Sequence, residues 1–262
     1  MSVEIVQMNC LDKRYYIGED LVDIVVTSPP YNLGINYVEY VDKVPDEEYF
    51  FFLENVFKKI ARVMRDGGSF FLNVGGSNKY PWRHLDIANI ARKFFVLQNE
   101  IVWVKSISIG DESHGQFKPI NSNRYLNGLH EHIYHFTKNG DVVLDRKAIG
   151  VPFADKSNIK RWKGNGQDLR CRGNVWFIPY ETIQSKKEKG NHPAIFPEQL
   201  VEWCIRLHGY DKYTVVWDPF AGSGTTLAVA QKLGVNAVGH EIDGEYVAYC
   251  KKRLGQGGSN EN

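Results

Sequence analysis

Short apolar segments bounded by turn residues recur along the 262-residue chain. Most are near-continuous rather than alternating, which is typical of strands buried on both faces of a parallel sheet. We therefore predict strands at EIVQM, VDIVVT, SFFLNV, NEIVWV, EHIYHF, YTVVWD and NAVGHEI.

Amphipathic stretches of helical length lie between these strands. Residues 46–68 begin with three acidic residues suited to a helix N-terminus, and Gly67-Gly68 predicts the end of that helix. HLDIANIARKFF, PEQLVEWCIRLHG and LAVAQKLG follow the same pattern. Alternation of strands and helices predicts an α/β protein with a doubly wound, mostly parallel sheet.

One region, from about residue 139 to 190, breaks this alternation, since it is polar, basic and rich in glycine. We interpret it as an insertion at the edge of the sheet. The predicted organisation is a main domain formed by residues 1–138 and 191–255, the insertion at 139–190, and a flexible tail at 256–262.

Charge is distributed unevenly although the formal net charge is only +1. Residues 1–60 hold 5 Lys and Arg against 11 Asp and Glu, whereas residues 156–189 hold 9 against 3. The basic residues of the second stretch alternate with Trp162, Trp176 and Phe177, a mixture that suits nucleic acid. An ordinary solvated face explains the charge alone equally well.

The four cysteines are dispersed, with no CxxC spacing, which indicates a reducing compartment. The N-terminus, MSVEIVQMN, does not resemble a signal peptide, and no apolar run approaches the length of a membrane span. We expect a soluble, cytoplasmic protein.

The first motif that carries chemistry is DPFAGSGTT, residues 218–226, between a predicted strand and a predicted helix. Gly222 and Gly224 would let a ligand approach the backbone, and the helix N-terminus offers free N–H groups. A phosphate-binding P-loop would need a lysine before the Ser/Thr, and here Gly224 stands there. Glu241 ends the next strand, about 20 residues on, where an acid can bind ribose hydroxyls.

The second motif is TSPPYN, residues 27–32, at the end of the strand VDIVVT. Proline has no N–H and a fixed φ, so the carbonyls of this corner leave the sheet ladder. Ser28 adds a hydroxyl and Tyr31 an aromatic face, a combination that suits a planar molecule with an exocyclic amine. A simple proline turn at a strand end is the alternative.

The two motifs together closely resemble those of the amino-methylating DNA methyltransferases, which transfer a methyl group from S-adenosylmethionine to N4 of cytosine or N6 of adenine. VQMNCLDK, HEHIYHFTK, VWFIP and NHPAIFPEQLVEWCI extend the resemblance over most of the chain. The order of the motifs resembles the circularly permuted β group.

This resemblance implies roles for individual residues. Ser28, Pro29, Pro30 and Tyr31 would form the catalytic corner around a flipped base. The cofactor would be bound by Asn9, Phe196, Asp218, Pro219, Phe220, Gly222, Ser223, Gly224, Thr225, Thr226 and Glu241. Asn9 stands where the family often has an acid. The family branch that attacks ring carbon uses a Pro-Cys nucleophile, and none of the ten prolines here precedes a cysteine.

The expected partner is double-stranded DNA, with a cognate restriction endonuclease as a functional partner. DNA contacts are predicted at Lys160, Arg161, Lys163, Arg170 and Arg172, and at the loop 116–124. Serine before the two prolines favours cytosine N4 as the target. Adenine N6 methylation, RNA methylation and a nucleic-acid-binding module without activity are the alternatives.

Three histidines of one predicted strand, His130, His132 and His135, raise the question of a metal. On a strand the first two share a face and the third points away, and no cysteine lies nearby. We therefore interpret them as structural or hydrogen-bonding residues and predict no metal.

Overall fold

The computed structural model describes residues 1–15, 17–32, 43–117, 120–161, 167–179 and 196–256. The strands are β1 (Val3–Gln7), β2 (Val22–Thr27), β3 (Met64–Val74), β4 (Val96–Val104), β5 (Ser106–Ile109), β6 (Glu112–Gly115), β7 (His130–Thr137), β8 (Val175–Phe177), β9 (Val215–Asp218) and β10 (Asn236–Glu241). The helices are α1 (Asp46–Val63), α2 (Arg83–Ala91), α3 (Asn158–Arg161), α4 (Glu198–His208), α5 (Thr225–Leu233) and α6 (Gly244–Arg253).

A central sheet of eight strands has the order β1-β10-β9-β2-β3-β7-β4-β8. Strand β7 pairs antiparallel with both of its neighbours, and the other pairs in this sheet are parallel. After β9 the chain forms β10, which lies beside β9 in the direction of β1. After β2 it forms β3, which lies beside β2 in the opposite direction across the sheet. The β2–β9 pair is therefore the topological switch point, where open α/β sheets bind ligands at the carboxyl ends of their strands.

Alternate residues of the central strands face two separate hydrophobic cores. Ile24 and Val26 of β2 pack with residues of α4, α5 and α6, whereas Val25 packs with residues of α1 and α2. Because helices cover both faces, the strands are apolar on both sides. The predicted doubly wound α/β fold is confirmed.

The structure confirms all the predicted strands but corrects the end of the first helix. Helix α1 ends at Val63, and β3 follows at once from Met64, with Gly67 and Gly68 inside the strand. The register against β2 shifts here, since Val22 pairs with Met64 but Ile24 with Ser69. A Cβ on Gly68 would lie 3.0 Å from the Asp23 carbonyl oxygen. The glycines therefore allow a bulge in the strand, and the prediction that they stop the helix is wrong.

The region 139–190 contains elements that the sequence pattern did not indicate. Strand β8 pairs with β4 at the edge of the sheet, and Trp176 and Ile178 are buried in the core beneath α4. This region thus contributes to the main core. The hairpin β5–β6 was also missed, because its residues alternate weakly and are mostly exposed. Within the described residues, no helix is long and apolar enough to cross a membrane.

Candidate active site

A cavity of about 330 Å³ opens at the switch point, at the carboxyl ends of the parallel strands. One end is lined by the segments after β1, β9 and β10, and the other by the corner after β2 and the end of β3. Thr27 of β2 donates a hydrogen bond to Asp218 of β9 at 2.6 Å, which links two motifs 191 residues apart. The volume of the cavity suits a small-molecule site.

Asp218, the last residue of β9, holds the loop that follows this strand in place. Its carboxylate accepts hydrogen bonds from Thr27, from Thr226 Oγ1 at 2.7 Å and from the Phe220 amide at 3.0 Å. Desolvation raises the pKa of this buried carboxyl to about 6, although those bonds lower it. Asp218 and Thr226 do not line the cavity; they fix the shape of the loop that does.

The two glycines of this loop have different surroundings. Gly222, at φ 51°, lines the cavity and donates its N–H to Glu241 Oε2 at 2.8 Å. Gly224, at φ 79°, faces helix α6 instead, and a Cβ there would lie 2.2 Å from Cys250 Sγ. The second glycine is therefore required for backbone conformation and packing.

Glu241 ends β10 and lines the cavity with both carboxylate oxygens held in place. Oε2 accepts from Gly222, and Oε1 accepts from the Ile242 and Asp243 amides at 2.8 and 2.9 Å. Desolvation raises its pKa, and these backbone bonds oppose that rise. Oε2 accepts only one of these bonds and has a second lone pair, so the carboxylate can also accept from a ligand hydroxyl.

The predicted cofactor residues that line the cavity share one end of it. They are Asn9, Phe196, Pro219, Phe220, Gly222, Ser223, Thr225 and Glu241. Asn9 Oδ1 accepts from the Leu11 amide at 2.9 Å, which shapes the turn after β1. Gly224, like Asp218 and Thr226, lies outside the lining.

Two buried polar atoms at this end have no hydrogen-bond partner. His240 accepts from Trp217 Nε1 through Nδ1 at 3.0 Å, so the neutral ring carries its proton on Nε2, which is unpartnered. Burial lowers the pKa of His240 to about 4. Asp243 caps α6 through Oδ1, whereas Oδ2 has no partner. Both residues line the cavity next to Glu241.

The corner after β2 forms the other end of the cavity. Ser28 Oγ and Tyr31 Oη are 2.7 Å apart, and Tyr49 of α1 donates to the Pro30 carbonyl at 2.6 Å. Asn32, at φ 57°, bonds to the Val44 backbone through both its oxygen and its nitrogen. Ser28, Pro29, Pro30 and Tyr31 all line the cavity.

Two side chains that the sequence reasoning missed complete this end: Asn73, from β3, and Glu131, from β7, both line the cavity. Asn73 Nδ2 donates to Glu131 Oε2 at 2.8 Å and to Tyr31 Oη at 3.1 Å, whereas Asn73 Oδ1 is buried without a partner. Asn73 ends the apolar run SFFLNV, which is a weak sequence signal. Glu131 stands inside the predicted strand EHIYHF, where only the pairing of β7 with β3 brings it to the cavity.

The predicted DNA-contacting residues do not form one uniform surface. Lys160 and Arg161 are exposed on α3, and Arg170 is exposed as well, whereas Lys163 lies outside the described residues. Arg172 is half-buried, donates to the Ile149 carbonyl at 2.9 Å and lies 3.9 Å from the Trp203 ring. Its contacts therefore hold the edge region onto α4.

The three histidines lie on two opposite faces of β7. His132 stacks on His84 with ring centroids 4.2 Å apart and bonds to Glu100 at 2.9 Å, and His130 lies edge-on to His132. His135 is on the opposite face, bonded to Ser69 at 2.9 Å. Burial lowers the pKa of His135 to about 3. Among the residues described, no cluster of three or more His, Cys, Asp or Glu could hold a metal ion.

The chain belongs to the family of N6/N4 DNA methylases. The family model, described as DNA methylase, matches residues 22–252. Type II methyltransferase M.BglII of Bacillus subtilis is 33% identical over 249 residues, which cover 88% of this chain and 63% of that protein. DNA adenine methyltransferase YhdJ of Escherichia coli K12 is 28% identical, over 95% of this chain and 82% of that protein.

Solved structures share the fold. PvuII DNA methyltransferase (cytosine-N4-specific) superposes with a TM-score of 0.71 at 19% identity, over 97% of this chain and 87% of that one. TTHA0409 from Thermus thermophilus, in complex with S-adenosyl-L-methionine, gives 0.60 at 24% identity, over 96% and 94%. The family is S-adenosylmethionine-dependent, and this is the methyl donor for the chain.

Proposed function

We propose that the protein is a site-specific DNA methyltransferase that methylates N4 of cytosine in duplex DNA. The observation that carries the proposal is that Ser28 and Pro29, whose hydroxyl and carbonyl oxygens are acceptors, line the same cavity as the cofactor loop. The order of the two motifs supports assignment to the permuted β group.

The cofactor would be held by Glu241 at its ribose and by the loop 218–226, with His240 and Asp243 near the purine. When bound, S-adenosylmethionine supplies an electrophilic methyl group. The residues of the other end of the cavity then have to orient the amine that receives it.

An exocyclic amine of a base is a poor nucleophile because its lone pair is delocalised into the ring. Acceptors that bind the amine hydrogens favour a tetrahedral nitrogen with its lone pair directed at the methyl group. Ser28 Oγ and the Pro29 carbonyl are suited to this task. The rate gain comes from fixed dipoles and from positioning.

The amine cannot be reached inside a duplex, so the base must leave the stack. The Tyr31 ring can stack on the flipped base while its hydroxyl stays bonded to Ser28. Lys160, Arg161 and Arg170 are exposed and available for phosphates, and we keep them, with Lys163, as proposed DNA contacts. Arg172 is proposed only as a support for that surface.

Cytosine is favoured over adenine because a serine precedes the two prolines. A neutral hydroxyl can accept from the amine and donate to a ring nitrogen, whereas a carboxylate can only accept. Adenine N6 is the second candidate, since YhdJ, named as a DNA adenine methyltransferase, is a relative over nearly the whole chain. The Type II relatives support a role in restriction–modification, with a cognate endonuclease as functional partner.

Nucleoside analysis tests the proposal. DNA methylated by the protein is digested, and the modified nucleoside is identified by mass spectrometry. We expect N4-methylcytosine. N6-methyladenine would replace the cytosine assignment with the adenine one, and the lack of any methylated nucleoside in DNA that the protein binds would refute the function.

A further inference from the structure

Glu131 lies at the target end of the cavity because β7 runs antiparallel to β3. Val74 pairs with His132, so the start of β7 meets the end of β3. A Cβ on Gly75 would lie 3.1 Å from Glu131 Cγ, so this glycine leaves room for the carboxylate side chain. Glu131 is thus built into the cavity wall by both strands.

The two oxygens of Glu131 have different partners. Oε1 accepts from Lys105 Nζ at 2.8 Å, whereas Oε2 accepts from Asn73 Nδ2 at 2.8 Å and from Tyr31 Oη at 3.4 Å. The side chains of Lys105 and Glu131 are 23% and 18% exposed, so solvent reaches the pair only partly. Lys105 therefore fixes one oxygen and leaves the other turned towards the Ser28–Tyr31 pair.

Hydrogen-bond direction connects Ser28 to this carboxylate. Ser28 Oγ keeps its lone pairs for an incoming amine if its own hydrogen is donated to Tyr31 Oη, 2.7 Å away. Tyr31 Oη can then donate onward to the Asn73 carbonyl at 3.3 Å or to Glu131 Oε2, and of these two acceptors only the carboxylate can take up the proton. The 3.4 Å contact is long, but catalytic hydrogen bonds often shorten when substrate binds.

We propose that Glu131 is the proton-accepting end of a relay from the target amine through Ser28 and Tyr31. The proposal rests on the proposed methyl transfer to an exocyclic amine and holds for either base. When the N–CH₃ bond forms and the S–CH₃ bond breaks, the nitrogen carries a positive charge and one excess proton. That proton passes to Ser28 Oγ, the Ser28 proton to Tyr31 Oη, and the Tyr31 proton to Glu131, which becomes a neutral acid.

A purely structural Lys105–Glu131 ion pair would explain the same distances, so the test must separate charge from shape. Glu131→Gln keeps the side-chain shape and one acceptor oxygen but loses the basic carboxylate. We expect its single-turnover methylation rate to fall about 100-fold, within the usual range for acid–base groups. Its affinities for S-adenosylmethionine and for DNA should stay within about twofold of wild type.

Chemical rescue provides the second measurement. Glu131→Ala leaves a space beside Tyr31 in which formate can replace the carboxylate. We expect its rate to rise at least fivefold with sodium formate, relative to sodium chloride at the same ionic strength, while the wild type and Glu131→Gln show no rise. The chloride reference is needed because added salt weakens DNA binding.

A Gln variant with the wild-type rate would overturn the proposal, and so would a slow Ala variant that formate does not accelerate. If the wild-type protein itself yields no methylated nucleoside, it is the proposed function that fails.

A matched pair of variants tests the position of the carboxylate. Gly75→Ala displaces the Glu131 side chain and should slow methylation. At Gly76 an added Cβ comes no closer than 3.4 Å to its neighbours, so Gly76→Ala should not slow it.

Discussion

The two ends of the cavity are built in different ways. At the cofactor end, Glu241 is fixed by backbone N–H groups of the loop at 218–226 and of its own turn, all within about 20 residues of sequence. At the target end, the hydrogen-bonded groups come from parts of the chain that are far apart in sequence. Asn73 and Glu131 lie on two strands, Ser28 and Tyr31 on the corner after β2, and Lys105 between β4 and β5.

The difference follows from what each end has to do. A rigid loop can bind a small molecule with backbone groups, and glycines at fixed spacing are enough to shape it. A proton-handling site needs hydroxyls and a carboxylate in one line, and the sheet brings these together from several strands. Asp218 and Thr27, bonded at 2.6 Å, join the two ends.

The largest effect is expected at the cofactor end. Gly224→Ala adds a Cβ at 2.2 Å from Cys250 Sγ and places a side chain at φ 79°. We expect a loss of about 3 kcal/mol in the free energy of unfolding, from overpacking and the left-handed conformation together. Urea unfolding measures it. In a Cys250→Ala background the same substitution should cost at least about 1 kcal/mol less, and an unchanged cost would show that the packing explanation is wrong.

Two neighbouring hydroxyls sharpen the comparison next. Ser28→Ala should lower the methylation rate about 100-fold, as the loss of one preorganised group does, with unfolding and cofactor affinity unchanged. Thr27→Val should instead cost about 1–3 kcal/mol in unfolding free energy, because the buried Asp218 loses a donor. Single-turnover rates, urea unfolding and calorimetric cofactor binding are measured for both variants. A destabilised Ser28→Ala protein, or a Thr27→Val protein with unchanged stability, would contradict the prediction.

Two buried groups of the sheet, His135 of β7 and Asp218 of β9, should also respond oppositely to acid. The pKa of His135, about 3, lies below its ordinary value of 6.5, so between these values the unfolded chain binds more protons and stability falls as the pH falls. From pH 7 to pH 5, His135 should lower the free energy of unfolding by about 2 kcal/mol. The pKa of Asp218 is about 6, above its ordinary value of 3.8, so the folded chain binds more protons between these values. Over the same pH range Asp218 should therefore raise the free energy of unfolding by about 1 kcal/mol.

Urea unfolding at pH 7 and pH 5 checks this prediction in wild type, His135→Gln and Asp218→Asn. His135→Gln should lose less stability than wild type on acidification, and Asp218→Asn should lose more. Equal changes in all three proteins would contradict it.

The smallest effect is expected outside the cavity. Replacing Lys160 and Arg161 with Gln should weaken DNA binding and reduce the salt slope by up to about 1.8, or about 0.9 for each phosphate that is no longer neutralised. Lys251→Gln with Lys252→Gln removes the same charge from the far end of α6, a helix that begins beside the cavity and leads away from it. Fluorescence anisotropy over a salt series measures the DNA affinity of both double variants. Equal salt slopes for the two would identify the α3 residues as an ordinary solvated face.

The sequence alone determined seven of the strands, the order of the motifs and most of the cofactor end. Continuous apolar runs and glycine spacing are local signals, so DPFAGSGTT and Glu241 could be placed without coordinates. The helix end at Gly67-Gly68 could not, because glycine suits a strand bulge as well as a helix stop, and only the register of β2 against β3 distinguishes the two.

Tertiary structure alone decided the role of Gly224, which depends on the distance to α6, and the presence of Asn73, Lys105 and Glu131 beside Ser28 and Tyr31. These side chains are ordinary members of their own strands and loops. They meet because β2 pairs with β3 and β9, and because the reversed strand β7 carries its first residues to the carboxyl ends of the others. Strand pairing is a long-range property, and no local pattern of residues encodes it.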